Sequence, residues 1–280
     1  MAETTGYASG GPLMTVTCET REGTTTISIC RPAARNAVDP ETARALFEAF
    51  LAFEQDNDAR VAVLTGRGGS FCAGFDLKSA GSGAADHWIS GLDIPDDWSD
   101  PMNDPLPGPM GPSRLMLRKP VIAAIEGAAV AGGLELAAWC DLRVMARGAI
   151  AVVYCRRWGV PLIDGGTVRL PRILGQGRSN DLILTGRGVE AEEALSMGLA
   201  DRLCAEGEAL QTAQALAADL SRFPQACMLA DHLSARMAPV DLAAALRREW
   251  RSQGVFAAEG REGAARFASG KGRAGDFSDI

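Results

Sequence analysis

Two short, unbroken apolar runs constrain this chain most: Val61–Thr65 and Val121–Ile125, the second leading through glycines into a helix. Continuous runs of this length, rich in Val and Ile, suit strands buried on both faces, as in a parallel sheet covered by helices. Further runs at Leu142–Met145 and Ile150–Tyr154 extend the strand, loop and helix alternation, and an α/β architecture is expected. Ahead of them, Met14–Thr20 and Thr24–Cys30 alternate like a hairpin turning at Arg21, Glu22 and Gly23. From Pro40 to Asp56, the residues Ala43, Leu46, Phe47, Phe50, Leu51 and Phe53 fall at helical spacing, and Asp39 stands as an N-cap before a first-turn proline.

The stretch Pro120–Cys140 has the length and apolarity of a membrane span, but Glu126 and Glu135 argue against insertion. Each carboxylate costs about 2.5–3.5 kcal/mol at mid-membrane, and the pair Gly132 and Gly133 weakens a continuous helix. A net charge of −7 with no basic stripe makes nucleic acid an unexpected partner. The seven cysteines form no C-x-x-C pair and read as reduced thiols of a cytoplasmic protein; no secretory signal is seen in the first thirty residues. With His87 and His232 as the only imidazoles, a histidine metal site or a Ser-His-Asp triad has little material, and no metal is expected.

Residues 91–113 carry six prolines with several Asp and Gly, which excludes regular structure and suggests a lid, ordered or mobile, or else a surface excursion. Trp88, Trp98 and Met102 are candidates to line an acyl pocket. From Glu206 the pattern turns helical, through Gln211–Ser221, Cys227–Met237 and Leu242–Phe256, so the chain divides into a core over 1–205 and a helical region over 206–280. The glycine-rich end from Gly270 is expected to fray.

Within Gly127–Cys140, glycines open a helix and a carboxylate, Glu135, follows on its first turn. Free N–H groups at such a mouth, with the helix dipole behind them, can hold developing negative charge, and the carboxylate can move protons beside it. Close packing of small residues is the competing explanation.

Three segments together resemble the crotonase superfamily, the enoyl-CoA hydratase/isomerase family: the loop from Arg31-Pro32 to Asn36-Ala37, the segment Gly69–Lys78, and Ala128–Leu136. Gly165-Gly166-Thr167, Leu170-Pro171-Arg172, Leu184–Arg187 and Ala191–Ala200 then follow in the family's order. The resemblance implies a spiral of ββα units with an α-helical C-terminal region, assembled as a homotrimer or dimer of trimers. It implies an acyl-CoA thioester as ligand, with coenzyme A as part of the substrate and no separate cofactor. By matching position, the N–H groups of Phe75 and Gly132 would form an oxyanion hole, each such donor being worth roughly 2.7–4 kcal/mol. Ala73, Phe75, Asp76, Leu77, Lys78 and Gly132 would follow the CoA and substrate.

Family hydratases set two glutamates on one water. Glu135 matches the first, whereas counting back from Gly165 places Cys155 at the second, a poor substitute because an ordinary thiol is neutral at pH 7. Several isomerases of the family carry an aspartate where Asp164 stands, which makes Glu135 and Asp164 the acid/base pair, unless Asp164 merely caps the next helix. Hydration of a 2-enoyl-CoA to a 3-hydroxyacyl-CoA is the first expectation and double-bond isomerisation the second. A non-catalytic acyl-CoA-binding or assembly subunit is the reading from another class.

Overall fold

The computed structural model describes residues 14–271. β1 (Val16–Arg21) and β2 (Thr24–Ile29) form the hairpin, with Arg21 paired to Thr24 across the two-residue turn of Glu22 (φ 49°) and Gly23 (φ 80°). Two left-handed residues in succession make the turn whose twist matches its strands, so β1 runs on through Arg21 instead of ending before it. β3 (Val61–Gly66), β4 (Val121–Ile125), β5 (Ala128–Val130), β6 (Leu142–Ala146), β7 (Ile150–Val152), β8 (Gly188–Glu190) and β9 (Arg202–Cys204) follow. The larger sheet has the order β1-β2-β3-β4-β6-β9 and is parallel from β2 onward, while β5, β7 and β8 form a second sheet. Every residue of β4 is buried, as its unbroken apolar run predicts. β5, β8 and β9 have three residues each, too few for a periodic signal, and were not expected as strands.

The helices are α1 (Pro40–Gln55), α2 (Leu77–Gly81), α3 (Asp86–Ser90), α4 (Gly132–Trp139), α5 (Gly166–Leu174), α6 (Gln176–Thr185), α7 (Ala191–Met197), α8 (Ala209–Ser221), α9 (Gln225–Ser234), α10 (Pro239–Trp250), α11 (Gln253–Val255) and α12 (Arg261–Ala268). Asp39 caps α1, accepting from the Thr42 N–H at 2.9 Å and its hydroxyl at 2.7 Å. Ala43, Leu46, Phe50 and Phe53 are its buried stripe. Phe50 meets Trp139 of α4 edge-to-face at 4.8 Å, a pairing worth about 0.5–1.5 kcal/mol beyond its buried area. α4 is buried over all eight residues, so the stretch that resembles a membrane span is β4, β5 and a core helix. Among the described residues no helix is long and apolar enough to cross a membrane.

In the C-terminal region, Ala213, Leu216 and Ala217 of α8 belong to the same core as β3, β4 and β6. The expected helix Leu242–Phe256 stops at Trp250, where Ser252 turns back on the Glu249 carbonyl with both its N–H (3.0 Å) and its hydroxyl (2.8 Å). A π-helical turn at Phe256–Gly260 then leads into α12, which lies within the expected helical region but beyond the last of its three expected helical stretches. α12 lies on α2 and the 154–158 turn: a methyl on Gly81 would sit 3.4 Å from the Ala264 methyl, and Trp158 meets Phe267 edge-to-face at 5.4 Å. Of the end expected to fray from Gly270, the N–H groups of Gly270 and Lys271 donate to the carbonyls of Phe267 and Arg266, residues 272–280 lie outside the described ones, and so do the first thirteen of the residues read for a signal.

Residues 91–111 form an irregular but anchored loop, and the stretch expected to be irregular through residue 113 ends earlier, in a 3-10 turn at Pro112–Arg114. Arg247 of α10 donates to the carbonyls of Pro95 and Trp98, and the Trp250 indole donates to Asp93 at 3.2 Å. Trp98 is buried with Leu92, Ile94, Leu242, Leu246 and Trp250, so its ring packs with α10. Of the three residues considered for an acyl pocket, only Trp88 packs against both hydrophobic clusters.

Candidate active site

The geometry of the site begins with Asn36, fully buried, whose amide donates to the carbonyls of Arg67 (2.8 Å) and Ser70 (2.7 Å) and whose Oδ1 accepts from the Arg31 N–H at 2.9 Å. It ties the 31–37 loop to the 67–70 loop, and the chain leaves the second in extended form. Cys72 pairs with the 128–130 strand on one side, while Gly74 and Asp76 pair with Val38 on the other. That alternation leaves the Phe75 N–H without a partner among the described residues. Gly132 opens α4, so its N–H has no intrahelical acceptor and none is found elsewhere among the described residues.

Two backbone conformations mark the place where the segments carrying these N–H groups lie side by side. Gly74 has φ 89°, and a Cβ there would stand 2.8 Å from the Val130 carbonyl and 3.2 Å from the Gly132 nitrogen. Ala131 has φ 52° and ψ −118°, a region in which a residue with a Cβ costs about 1–3 kcal/mol. The strain lies immediately before the unpaired Gly132 N–H.

Glu135 is 3% exposed, and its Oε1 accepts from the N–H groups of Asp164 and Gly166 at 2.9 Å each. Burial, then repulsion from Asp164 and Glu249, raises its pKa well above the usual carboxylate range. Asp164 is equally buried, and its Oδ1 accepts from the Met110 N–H at 2.8 Å and from the Ser113 hydroxyl. Burial pushes it up to about 6, against the lowering pull of Ser113, Met110, Arg114 and Arg169. Met110 joins the two halves: its N–H holds Asp164, and its sulfur would lie 2.8 Å from a Cβ on Gly132. Asp164 makes no side-chain cap hydrogen bond to α5, and the residue at that helix's N-cap position is Gly165. The acid caps nothing and faces the 108–114 loop.

Cys155 is buried beside Glu135, and burial pushes its thiol up to about 12, so it stays neutral at pH 7. Asp76 holds structure: Oδ1 accepts from the Lys78 and Ser79 N–H groups at the start of α2, and Oδ2 pairs with Arg31 at 3.0 Å. The Ala73 N–H is taken by the Arg35 carbonyl, Leu77 is half-buried, and Lys78 is exposed. Arg156 donates to the Ile183 carbonyl. His232 bonds Asp141 at 2.8 Å, a structural contact. Among the described residues no group of three His, Cys, Asp or Glu side chains is arranged for a metal ion.

A cleft of about 730 Å³ opens elsewhere, between the β1–β2 hairpin and the 66–69 loop, and its lining includes none of the expected site residues. Sequence reading also missed Ser113, Arg169 and Glu249. Glu249 had a legible signal: with Leu242, Ala245, Leu246 and Trp250 it occupies the apolar stripe of α10, where an acid needs a reason.

The profile of the Enoyl-CoA hydratase/isomerase family matches residues 19–108 and 112–273. Enoyl-CoA hydratase EchA19 of Mycobacterium tuberculosis is 37% identical over 210 residues, covering 72% of this chain and 73% of its own. A carnitinyl-CoA dehydratase of Salmonella typhi is 36% identical over 226 residues, covering 79% and 75%. Among solved structures, an enoyl-CoA hydratase from Mycobacterium avium superposes with TM-score 0.72 at 31% identity, over 89% of this chain and 100% of the other. A carnitinyl-CoA hydratase from the same species reaches TM-score 0.78 at 27% identity, over 91% and 95%. The α/β fold with its helical C-terminal region is the crotonase fold, and by sequence and architecture alike the chain belongs to the enoyl-CoA hydratase/isomerase family.

Proposed function

We propose that this protein adds water across the double bond of a 2-enoyl-CoA thioester, giving a 3-hydroxyacyl-CoA. The observation that carries this reading is Glu135, buried and steered by two main-chain N–H groups, beside the adjoining unpaired N–H groups of Phe75 and Gly132. The thioester oxygen accepts from those two groups, which stabilise the enolate as water adds at C3. Glu135 takes the proton of that water. Asp164, the second buried carboxyl of the site, delivers one to C2 as the enolate collapses. The segment Ala73–Lys78 follows the CoA. The hydratase and dehydratase relatives support the reaction class.

A second reading, movement of a double bond, is favoured by Cys155, which stands where a second glutamate is expected, and by Asp164, whose carboxyl is held by the Met110 N–H. In that reaction a proton removed from C2 of a 3-enoyl-CoA returns at C4. The non-catalytic reading is disfavoured because a pure binder gains nothing from two buried carboxylates whose ionisation burial opposes. We place the enzyme in the cytoplasm, in keeping with its seven unbridged cysteines, and as a homotrimer or dimer of trimers, which light scattering tests.

Crotonyl-CoA hydration is followed by loss of the enoyl-thioester absorbance. Glu135→Gln and Asp164→Asn are each expected to slow it about 10²–10⁴-fold. Activity indifferent to both substitutions sinks the mechanism. A product from 3-enoyl-CoA of unchanged mass, with no water added to 2-enoyl-CoA, replaces hydration by isomerisation.

A further inference from the structure

Residues 164–167 present four consecutive main-chain N–H groups, and two carboxylates from distant elements share them alternately. Asp164 and Gly166 donate to Glu135 of α4. Gly165 donates to Glu249 Oε2 at 2.6 Å, and Thr167 donates to Glu249 Oε1 with its N–H at 2.8 Å and its hydroxyl at 2.7 Å. Glu249 lies on α10, 84 positions beyond Gly165, and is 6% exposed.

We propose that Glu249 is a positioning residue for Glu135: by clamping Gly165 and Thr167 it fixes the two intervening N–H groups on which the Glu135 carboxylate rests. The inference builds on Glu135 as the group that activates water. Helix capping alone does not account for Glu249. The N-cap position of α5 is Gly165, with φ 90° and no side chain, and Glu249 takes the N–H of Gly165 itself, which lies outside the helix, as well as that of Thr167. Glu135 is faced by Asp164 from the turn, Glu249 from α10, the Cys155 thiol from the 154–158 turn and Arg169 from α5. Arg114, stacked 4.4 Å over Trp250, faces Asp164 and Glu249. Asp93, from the 91–111 loop, also faces Arg114, so four carboxylates surround these two guanidinium groups, and Asp164 and Glu249 both raise the proton affinity of Glu135.

The test compares Glu249→Gln and Thr167→Val with wild type in kcat, KM and the pH profile of kcat on crotonyl-CoA. The carboxyl carbon of Glu135 is also titrated by NMR without substrate and assigned with Glu135→Gln. The glutamine has one acceptor oxygen for three donors, and its NH2 meets an N–H head on. We expect kcat to fall about tenfold or more with KM within about threefold, and both the acid limb and the NMR titration of Glu135 to move to lower pH, as one neighbouring negative charge is removed. Thr167→Val keeps the charge and loses one hydrogen bond, so kcat falls less and neither titration moves. A Glu249→Gln protein that melts like wild type with unchanged kcat and unmoved titration overturns the proposal, as does loss of kcat with both titrations unmoved. Should Glu249→Gln fail to fold, an unchanged kcat in Thr167→Val overturns it and a fall with constant KM supports it. If wild type leaves enoyl-CoA untouched while Glu249→Gln still moves the Glu135 titration, the assigned reaction fails and the positioning stands.

Discussion

Replacing Asp164 by Asn should shift stability relative to wild type in favour of the variant as pH rises from 4 to 8. In the folded state burial carries this carboxyl from 3.8 to about 6. At 1.36 kcal/mol per pH unit, ionising it in the fold costs about 3 kcal/mol more than ionising it in the unfolded chain. The sign follows from proton counting. Between the two values the folded state binds more protons than the unfolded one, so the group's contribution to stability is present below pH 4 and lost as pH rises through 6. Asn carries no such titration, and its Oδ1 can still accept from the Met110 N–H and the Ser113 hydroxyl. Its NH2 group brings a constant penalty of about 1–3 kcal/mol if it finds no acceptor. The unfolding free energy of the variant minus that of wild type should therefore be about 2–3 kcal/mol more positive at pH 8 than at pH 4, whatever that constant. Urea denaturation followed by tryptophan fluorescence at the two pH values measures it. A difference that is the same at both, within about 0.5 kcal/mol, refutes the claim that the fold holds a carboxyl against its preference.

Gly74→Ala, strained by φ 89° and aimed at the Val130 carbonyl, should lower kcat about 10²–10³-fold by parting the Phe75 and Gly132 N–H groups; steady-state kinetics on a folded variant check it. Asn36→Ala leaves two carbonyls and one N–H unpaired and should destabilise by about 3 kcal/mol, read as a lower urea midpoint with an unchanged slope. Cys155→Ala should leave kcat within about threefold, since a thiol pushed up to about 12 moves no proton at pH 7; a much larger loss in a folded protein gives the thiol a chemical role. Because the Glu135 pKa is raised, the acid limb of kcat should lie above the ordinary carboxylate range, and a limb near pH 4 contradicts Glu135 as the base.

Much of the site is legible in residue order. The glycines before Glu135 mark a helix mouth, and Asp39 with Pro40 marks the start of α1, because caps and glycine conformations are local physics. Cys155 stands out only through the family resemblance, which puts a glutamate at that position; that an unperturbed thiol is neutral at pH 7 then needs no neighbours to say so. The fate of Asp164 was open between cap and acid. Its hydrogen bonds run to Met110 and Ser113, more than fifty residues earlier, and no local rule reaches that far. The three-residue strands β5, β8 and β9 were invisible for a related reason: they exist through their partners' ladders and carry no period of their own. Loop composition makes Trp98 a candidate to line an acyl pocket, whereas the loop is anchored by Arg247 and Trp250 and the ring packs with α10.

What the sequence determined by itself was the α/β order, the buried central strands, the hairpin and the glycine-opened helix that carries Glu135, all set by periodicity and turns, while the pairing of the Phe75 and Gly132 N–H groups came from the family resemblance. What the tertiary structure decided was electrostatic. The proton affinities of Glu135 and Asp164 depend on burial and on charges brought from α4, α5, the 108–114 loop and α10, and interactions of that kind depend on distance in space and dielectric, neither of which residue order specifies.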